Sequence, residues 1–459
     1  RHYEENSKSN VTKLMSAIQP SIYEKFIIES ADGLKSVDIK EGVISFTYYE
    51  NLFSPTLTAK AIVVNSSGTV EAEDGKIKSL YNGLPLRGGE RVVIKIAGNS
   101  KNNKDGLDFS VRTEQYFHVS SITNVLVDSG SEILTLNLIS REALTNETSR
   151  VGKKFPSTQR ISDSVKDIIE KYLSTDKINE IDETQNPYGF IGNLKKPYTV
   201  ITWLASKSIA YKGDGKDSTA GFLFYETSKG LNFKSIDNLI KQEPFKETYV
   251  FNPGIVNKDD PKKDYTILQY GIDRNQDLLG KLERGAYSSM RYYINPVTFG
   301  LNPDIVFNSK KYIDTATNLG SKPITLPKIN EDSDLTLGDL PSRIFVGMLD
   351  VGTIEKDAKD DGWNDPAKRN ADPAKTTSQS MMRYNQLMTQ VIDITIPLNV
   401  NINAGSTIRC EFPALETAER KEADPETSGL YMIKELAHFF DANGSYTQLK
   451  LVRDSFGRK

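Results

Sequence analysis

Three histidines, one cysteine and scattered carboxylates are the residues of this chain with the chemistry to act on a substrate. His2, His118 and His438 would serve as general acids or bases if a carboxylate or a nucleophile stood beside them. His2 lies in a polar N-terminal arm, and the other two sit on strands near corresponding parts of a sequence repeat, where a hydrogen-bonded structural histidine is the better reading. Cys410, on an expected strand, reads as a small buried hydrophobe and not as a thiolate nucleophile. Glu226 follows an aromatic strand and has the residue type of a glycosidase acid, but no second carboxylate with an arguable geometry accompanies it. Asp360-Asp361-Gly362-Trp363-Asn364-Asp365 lacks the alternating acidic register and the bidentate Glu of a calcium loop, so it reads as a solvated acidic turn. Gly213-Asp214-Gly215-Lys216-Asp217 reads the same way. There is no Gly-x-Ser-x-Gly elbow, Walker loop, His-Glu-x-x-His helix or cysteine pair. The chain is therefore read as a non-enzyme, with no catalytic, cofactor-binding or metal-binding residue. One side chain is singled out: Trp363, in a polar loop, as an anchor for a protein partner. Trp203 sits in a helical pattern and reads as core.

The elements that hold these residues repeat. Gly88-Gly89-Glu90-Arg91-Val92-Val93-Ile94 is a glycine turn feeding a strand, followed by Phe117–Ile122, a polar turn at Asp128–Ser131, and Ile133–Leu138. The same order returns as Ala404-Gly405-Ser406-Thr407-Ile408-Arg409-Cys410, then Tyr431–Leu436, a turn at Asp441–Ser445, and Tyr446–Leu451. Both copies alternate apolar and polar residues with period two and place turn formers where a hairpin must reverse. Upstream, Val43–Tyr49 and Leu57–Val64 add two strands to the first copy; Tyr265–Ile272 and Tyr287–Ile294 are a weak match for them in the second. A clearer strand runs through Ile392, Ile394, Ile396, Leu398, Val400 and Ile402, with Pro397 on its polar face, which predicts a sheet edge or bulge there.

Between the copies the period changes. Ile161, Val165, Ile168, Ile169, Tyr172 and Leu173 predict a helix over 162–173 behind Ser162 as cap, and Tyr198–Ala210 predicts a second. Phe222–Phe233 reads as a tight hairpin, followed by a short helix capped by Ser235. The expected fold class is mainly β (α+β): two similar β-barrel domains plus a small α+β domain and an irregular insertion. The expected boundaries are an arm at 1–25, a first barrel at 26–150, the α+β domain at 151–247, a second barrel at 248–290 and 388–459, and a loop-rich insertion at 291–387.

Composition narrows the function. With 58 basic against 61 acidic residues the chain is near neutral, which argues against a protein that grips nucleic acid. One cysteine excludes an intramolecular disulfide framework and fits a reducing compartment. No apolar run is long enough to span a bilayer as a helix, so no stable membrane insertion is expected.

The runs Thr113–Ile122, Leu134–Leu144, Arg150–Phe155 and Ile161–Val165, followed by Pro197–Ala205 and Phe222–Ser235, resemble in their order the baseplate central hub proteins of T-even-type contractile-tailed bacteriophages. The similarity covers most of 26–290 and resumes at 388–455. It implies a homotrimer in which each chain contributes two barrels to a pseudo-sixfold ring, adapting a hexameric tail tube to a trimeric central spike. The implied partners are the spike or tail lysozyme protein, the tube initiator proteins, the tape measure protein and the baseplate wedge proteins, with DNA present only in transit. No cofactor is implied. The implied location is the virion, in the baseplate of a contractile tail assembled in the bacterial host cytoplasm. Two alternatives stand beside this. One is the hub or spike component of a related contractile injection system, whose VgrG-type spikes carry a C-terminal needle that this chain would leave to a separate protein. The other is a β-rich tail-associated glycan-binding protein or hydrolase.

Overall fold

The computed structural model describes residues 18–66, 70–71, 76–128, 131–211, 219–251, 263–274, 276–294, 299, 305–309, 317–348, 377–414 and 423–458. The first repeat contains β1 (Val43–Asn51), β2 (Thr58–Ser66), β3 (Arg91–Ile96), β4 (Phe117–Asp128) and β5 (Ser131–Ser140), hydrogen-bonded in the order β1-β2-β5-β4-β3. Alternation makes these strands. Leu134, Leu136 and Leu138 point into the core from β5 while Thr135 and Asn137 point away, the period expected of a sheet with one packed face. Outside β3 lie Tyr23–Glu29 and Ser36–Asp38, which extend the sheet.

The chain then builds α1 (Arg141–Thr148), α2 (Ile161–Tyr172), α3 (Pro197–Ala205), the hairpin β6 (Phe222–Thr227) and β7 (Gly230–Ser235), and α4 (Ile236–Lys241). Ile161, Val165, Ile168 and Ile169 bury one face of α2 against α3 and the hairpin. Ser162 does not cap α2. The cap position is Arg160, and the Ser162 hydroxyl instead accepts a bond from the Thr184 amide, while the Ser162 amide donates to Thr184 Oγ1 at 3.0 Å. Helix α3 stops at Ala205, short of the expected Ala210, because Ile209 leaves to bridge Ala220.

The second repeat contains β8 (Gln269–Arg274), β9 (Gln390–Pro397), β10 (Thr407–Glu411), β11 (Gly429–Asp441) and β12 (Ser445–Arg453), in the order β8-β9-β12-β11-β10. This is the order of the first repeat, strand for strand. The counterpart of β2 is thus β9, and the weakly matched Tyr287–Ile294 belongs elsewhere: Ser288–Ile294 pairs with Ile305–Asn308 and Arg343–Met348 in a separate three-stranded sheet. Pro397 is buried opposite Tyr446 at the end of a strand with neighbours on both sides, not on an exposed edge. As the last residue of β9 it can lack an amide donor without breaking the ladder.

A single 15-stranded sheet joins both repeats, because β1 pairs antiparallel with β11. One apolar cluster also runs through both, from Phe26, Phe46 and Leu136 to Ile392, Tyr431 and Leu451.

Candidate functional site

The correspondence between repeats extends to single hydrogen bonds. In the first glycine turn the Gly89 amide donates to Val119 O at 2.7 Å and the Val119 amide to Glu90 O at 2.9 Å; in the second, Gly405 donates to Ile433 O at 2.8 Å and Ile433 to Ser406 O at 2.9 Å. Gly89 and Gly405 have φ of 92° and 85°, the region that favours glycine. Both long strands then bulge at the same place: the pairing of β4 with β5 slips at Ser120, and that of β11 with β12 at Lys434. The turn, the strand and the hairpin were legible from the sequence; the shared bulge was not.

The joint between the repeats is the first part of the candidate site. Seven residue pairs connect β1 to β11, from Ser45 opposite Asp441 to Asn51 opposite Glu435. On its packed side the Tyr48 and His438 rings stack with centroids 5.9 Å apart, and Phe46 lies 6.1 Å from Phe440. His438 is fully buried, which drives its pKa down to about 3, and its Nδ1 is 2.8 Å from Thr447 Oγ1; it is therefore neutral and structural. His118 lies on the equivalent strand but not at the equivalent position, and its Nδ1 faces Gly89 O at 3.2 Å. Burial lowers its pKa too.

A buried carboxylate ties the joint to the middle of the chain. Glu50 accepts bonds from Tyr48 Oη at 2.6 Å, the Ser228 amide at 2.8 Å, Asn403 Nδ2 at 3.0 Å and the Ala404 amide at 2.7 Å. One side chain thereby holds the first repeat, the β6–β7 turn and the second glycine turn. Its pKa is raised by burial, against the pull of those four donors.

Glu226 proves to be a second such lock. It accepts from Ser140 Oγ at 2.6 Å, the Leu57 amide at 3.1 Å and Lys177 Nζ at 2.7 Å, and it is fully enclosed. Burial raises its pKa, with Lys177 opposing. Glu142 is its nearest acidic neighbour in this network, sharing Lys177 at 3.9 Å and accepting from Thr175 Oγ1 at 2.8 Å. Two carboxylates about a lysine, with no surface for a sugar, form a packing device and not a glycosidase pair. Cys410 is buried and its thiol pKa is pushed up by that burial, as an inert side chain requires. Trp203 differs from the sequence reading: its ring packs on Tyr188 and Phe190 at 5.5 and 5.6 Å, yet 40% of the residue stays exposed. Trp363, His2, the acidic turn at 360–365 and the Gly213–Asp217 loop lie outside the described residues.

The other part of the site is the open face of the shared sheet, opposite the core. Tyr49, Thr58, Gln269, Gly271, Asp393, Thr395, Ala437, Phe439 and Gln448 line a groove of about 730 Å³ across the joint. The charged residues of its lining are Lys450 against Glu50, Asp393 and Glu435. Lys450 Nζ stands 3.6 Å from Asp273 and 3.7 Å from Asp393, and Lys434 Nζ stands 2.6 Å from Glu435. Partial burial, then Asp273 and Glu435, raise the Asp393 pKa against the opposing pull of Lys450. In the first repeat the positions of Asp393, Lys450 and Glu435 are occupied by Lys60, Asn137 and Ser121. Among the described residues there is no group of three or more His, Cys, Asp and Glu placed to hold a metal ion, and no helix long and apolar enough to cross a membrane.

No family model and no curated protein matches the sequence. Solved structures do. The chain is similar to the tail protein of Neisseria meningitidis MC58, with TM-score 0.51 and 10% identity over 94% of this chain and 96% of that one. It is also similar to the 43 kDa tail protein of prophage MuSo2 from Shewanella oneidensis, at TM-score 0.49 and 9% identity over 94% and 98%. A further match is a chain of the Francisella PdpA-VgrG complex, at TM-score 0.42 and 10% identity over 99% of this chain and 62% of that one. This mainly β chain, with its duplicated strand order, has the fold of the Neisseria tail protein.

Proposed function

We propose that this chain is a structural, non-enzymatic component of a contractile phage tail: the baseplate hub, a homotrimeric ring that adapts the hexameric tail tube to the trimeric central spike. The observation that carries this reading is the duplication itself, two five-strand units of one topology joined edge to edge into a single sheet, with more carboxylates than lysines in the groove across the joint. Three such chains supply six near-equivalent units, so a threefold assembly can meet a sixfold one. In that ring the open face lines a channel for the tape measure and then DNA, and its lack of a cationic cluster lets phosphates pass without being held. The spike or tail lysozyme protein, the tube initiators and the wedge proteins are the partners of the two rims, with Trp363 as a contact. The sequence order resembling the T-even-type hubs and the tail-protein fold both support this.

Native mass spectrometry of the purified chain, followed by negative-stain class averages, tests it. A trimer that images as a hollow ring of near-sixfold outline is the expected result. A stable monomer at all concentrations, with or without spike and tube proteins, overturns it.

A further inference from the structure

The joint inside the chain has two matching halves that are left open. β11 uses its outward edge to bind β1, but its counterpart β4 has no backbone partner along its outward edge from Ser120 to Val127 among the described residues. Likewise β1 is bound by β11, whereas its counterpart β8 pairs, among the described residues, with β9 alone. The side chains show the same asymmetry. Phe440 and Phe46, which meet in the joint, are 2% and 0% exposed; their counterparts Val127 and Tyr270 lie on the open edges, and Val127 is 77% exposed. Leu126 and Ile272 on those edges are 63% and 49% exposed. An exposed apolar edge with free amides and carbonyls is a pairing template that folded proteins cover or blunt. Neither edge here carries a lysine or a proline in the stretch concerned.

We propose that β4 of one copy receives β8 of a second copy of this chain, in the register that β11 and β1 use within the chain. This rests on the hub reading above and names its subunit contact. The hairpin partners give the alignment, since β4 slips a second time between Thr123 and Leu126 where β11 does not, so the register is taken beyond that slip: Thr47 corresponds to Gly271 and Phe46 to Tyr270, because they face Lys60 and Ala61 in one repeat and Asp393 and Ile394 in the other. Phe439 corresponds to Leu126 and Phe440 to Val127, because they face Tyr446 and Ser445 in one hairpin and Ile133 and Glu132 in the other. The in-chain pairs Thr47 with Phe439 and Phe46 with Phe440 therefore become Gly271 with Leu126 and Tyr270 with Val127 between copies. The two edges differ, so each copy has one of each, and the contact runs head to tail and closes only as a ring.

The test is disulfide trapping of the full chain. Leu126→Cys combined with Gly271→Cys places two thiols opposite each other; a Cβ at Gly271 meets no atom within 4 Å, so that position accepts the change. Oxidation should convert more than half of the chain to covalent dimers and trimers on a non-reducing gel. Ser121→Cys with Gly271→Cys, out of register, should give less than a tenth of that yield. Val127→Lys should lower the apparent oligomer affinity at least tenfold with an unchanged circular dichroism spectrum. A trimeric ring that traps neither pair, or traps the out-of-register pair better, overturns this contact and leaves the hub reading standing; a monomer that traps nothing overturns both.

Discussion

At the scale of single residues, the chain spends its titratable groups on packing. His438 is the sharpest case. Its folded pKa, about 3, lies below the ordinary imidazole value, so the stability it contributes is present above pH 6.5 and is lost as pH falls from 6.5 towards 3. The loss should approach roughly 1.4 kcal/mol per pH unit across that window. His438→Phe keeps a ring beside Tyr48 and removes the titration, so urea midpoints measured from pH 7 to pH 4 should fall less in the variant than in the parent. The Glu226 lock makes a second prediction. Lys177→Met leaves Glu226 and Glu142 enclosed without their cation and should cost about 3–5 kcal/mol in denaturant unfolding, while Lys177→Met with Glu226→Gln should recover a substantial part. If Glu226 were instead a catalytic acid held ready for substrate, Lys177→Met would change stability little. Neither lock was visible in the sequence. Lys177 is distant along the chain from Glu226 and Glu142, and a carboxylate carries no local mark of whether it will be buried.

At the scale of elements, the parts read correctly from sequence are those whose signal is local. Glycine turns, hairpins and the amphipathic α2 declare themselves within a dozen residues, through positive φ, period two and period 3.6 respectively. The errors arose where a distant partner decides. Tyr287–Ile294 has strand character but pairs with Arg343–Met348, and nothing within it says which sheet it will join. Pro397 has an exposed partner pattern, yet Tyr446 covers it. Gly405 gives the test at this scale. A Cβ there would lie 2.6 Å from Tyr225 Oη, on a backbone with φ of 85°. Gly405→Ala should destabilise by about 1–3 kcal/mol, and adding Tyr225→Phe should return part of it by removing the clashing oxygen, as read by thermal unfolding of the single and double variants.

For the whole molecule, the duplication was legible because the two copies keep their turn chemistry, while the edge between them was not, since a joint leaves no motif. That joint makes both repeats share one apolar core, with the α+β segment tied in by Glu50 and Glu226. Unfolding should therefore be a single cooperative transition. In a Trp363→Phe background, the fluorescence of Trp203 in α3 and the far-ultraviolet circular dichroism of the strands should report one midpoint; two separated midpoints would mean that the locks do not couple the parts.

The in-chain joint also bears on how fast any ring could form. A strand tethered to its partner edge by its own chain meets it in an intramolecular step, whatever the amount of protein present. Half of the contacts in a six-unit ring would then be in place before two molecules meet, and the remaining encounters would be three instead of six. Closure becomes a low-order reaction, less sensitive to dilution than the joining of six separate units.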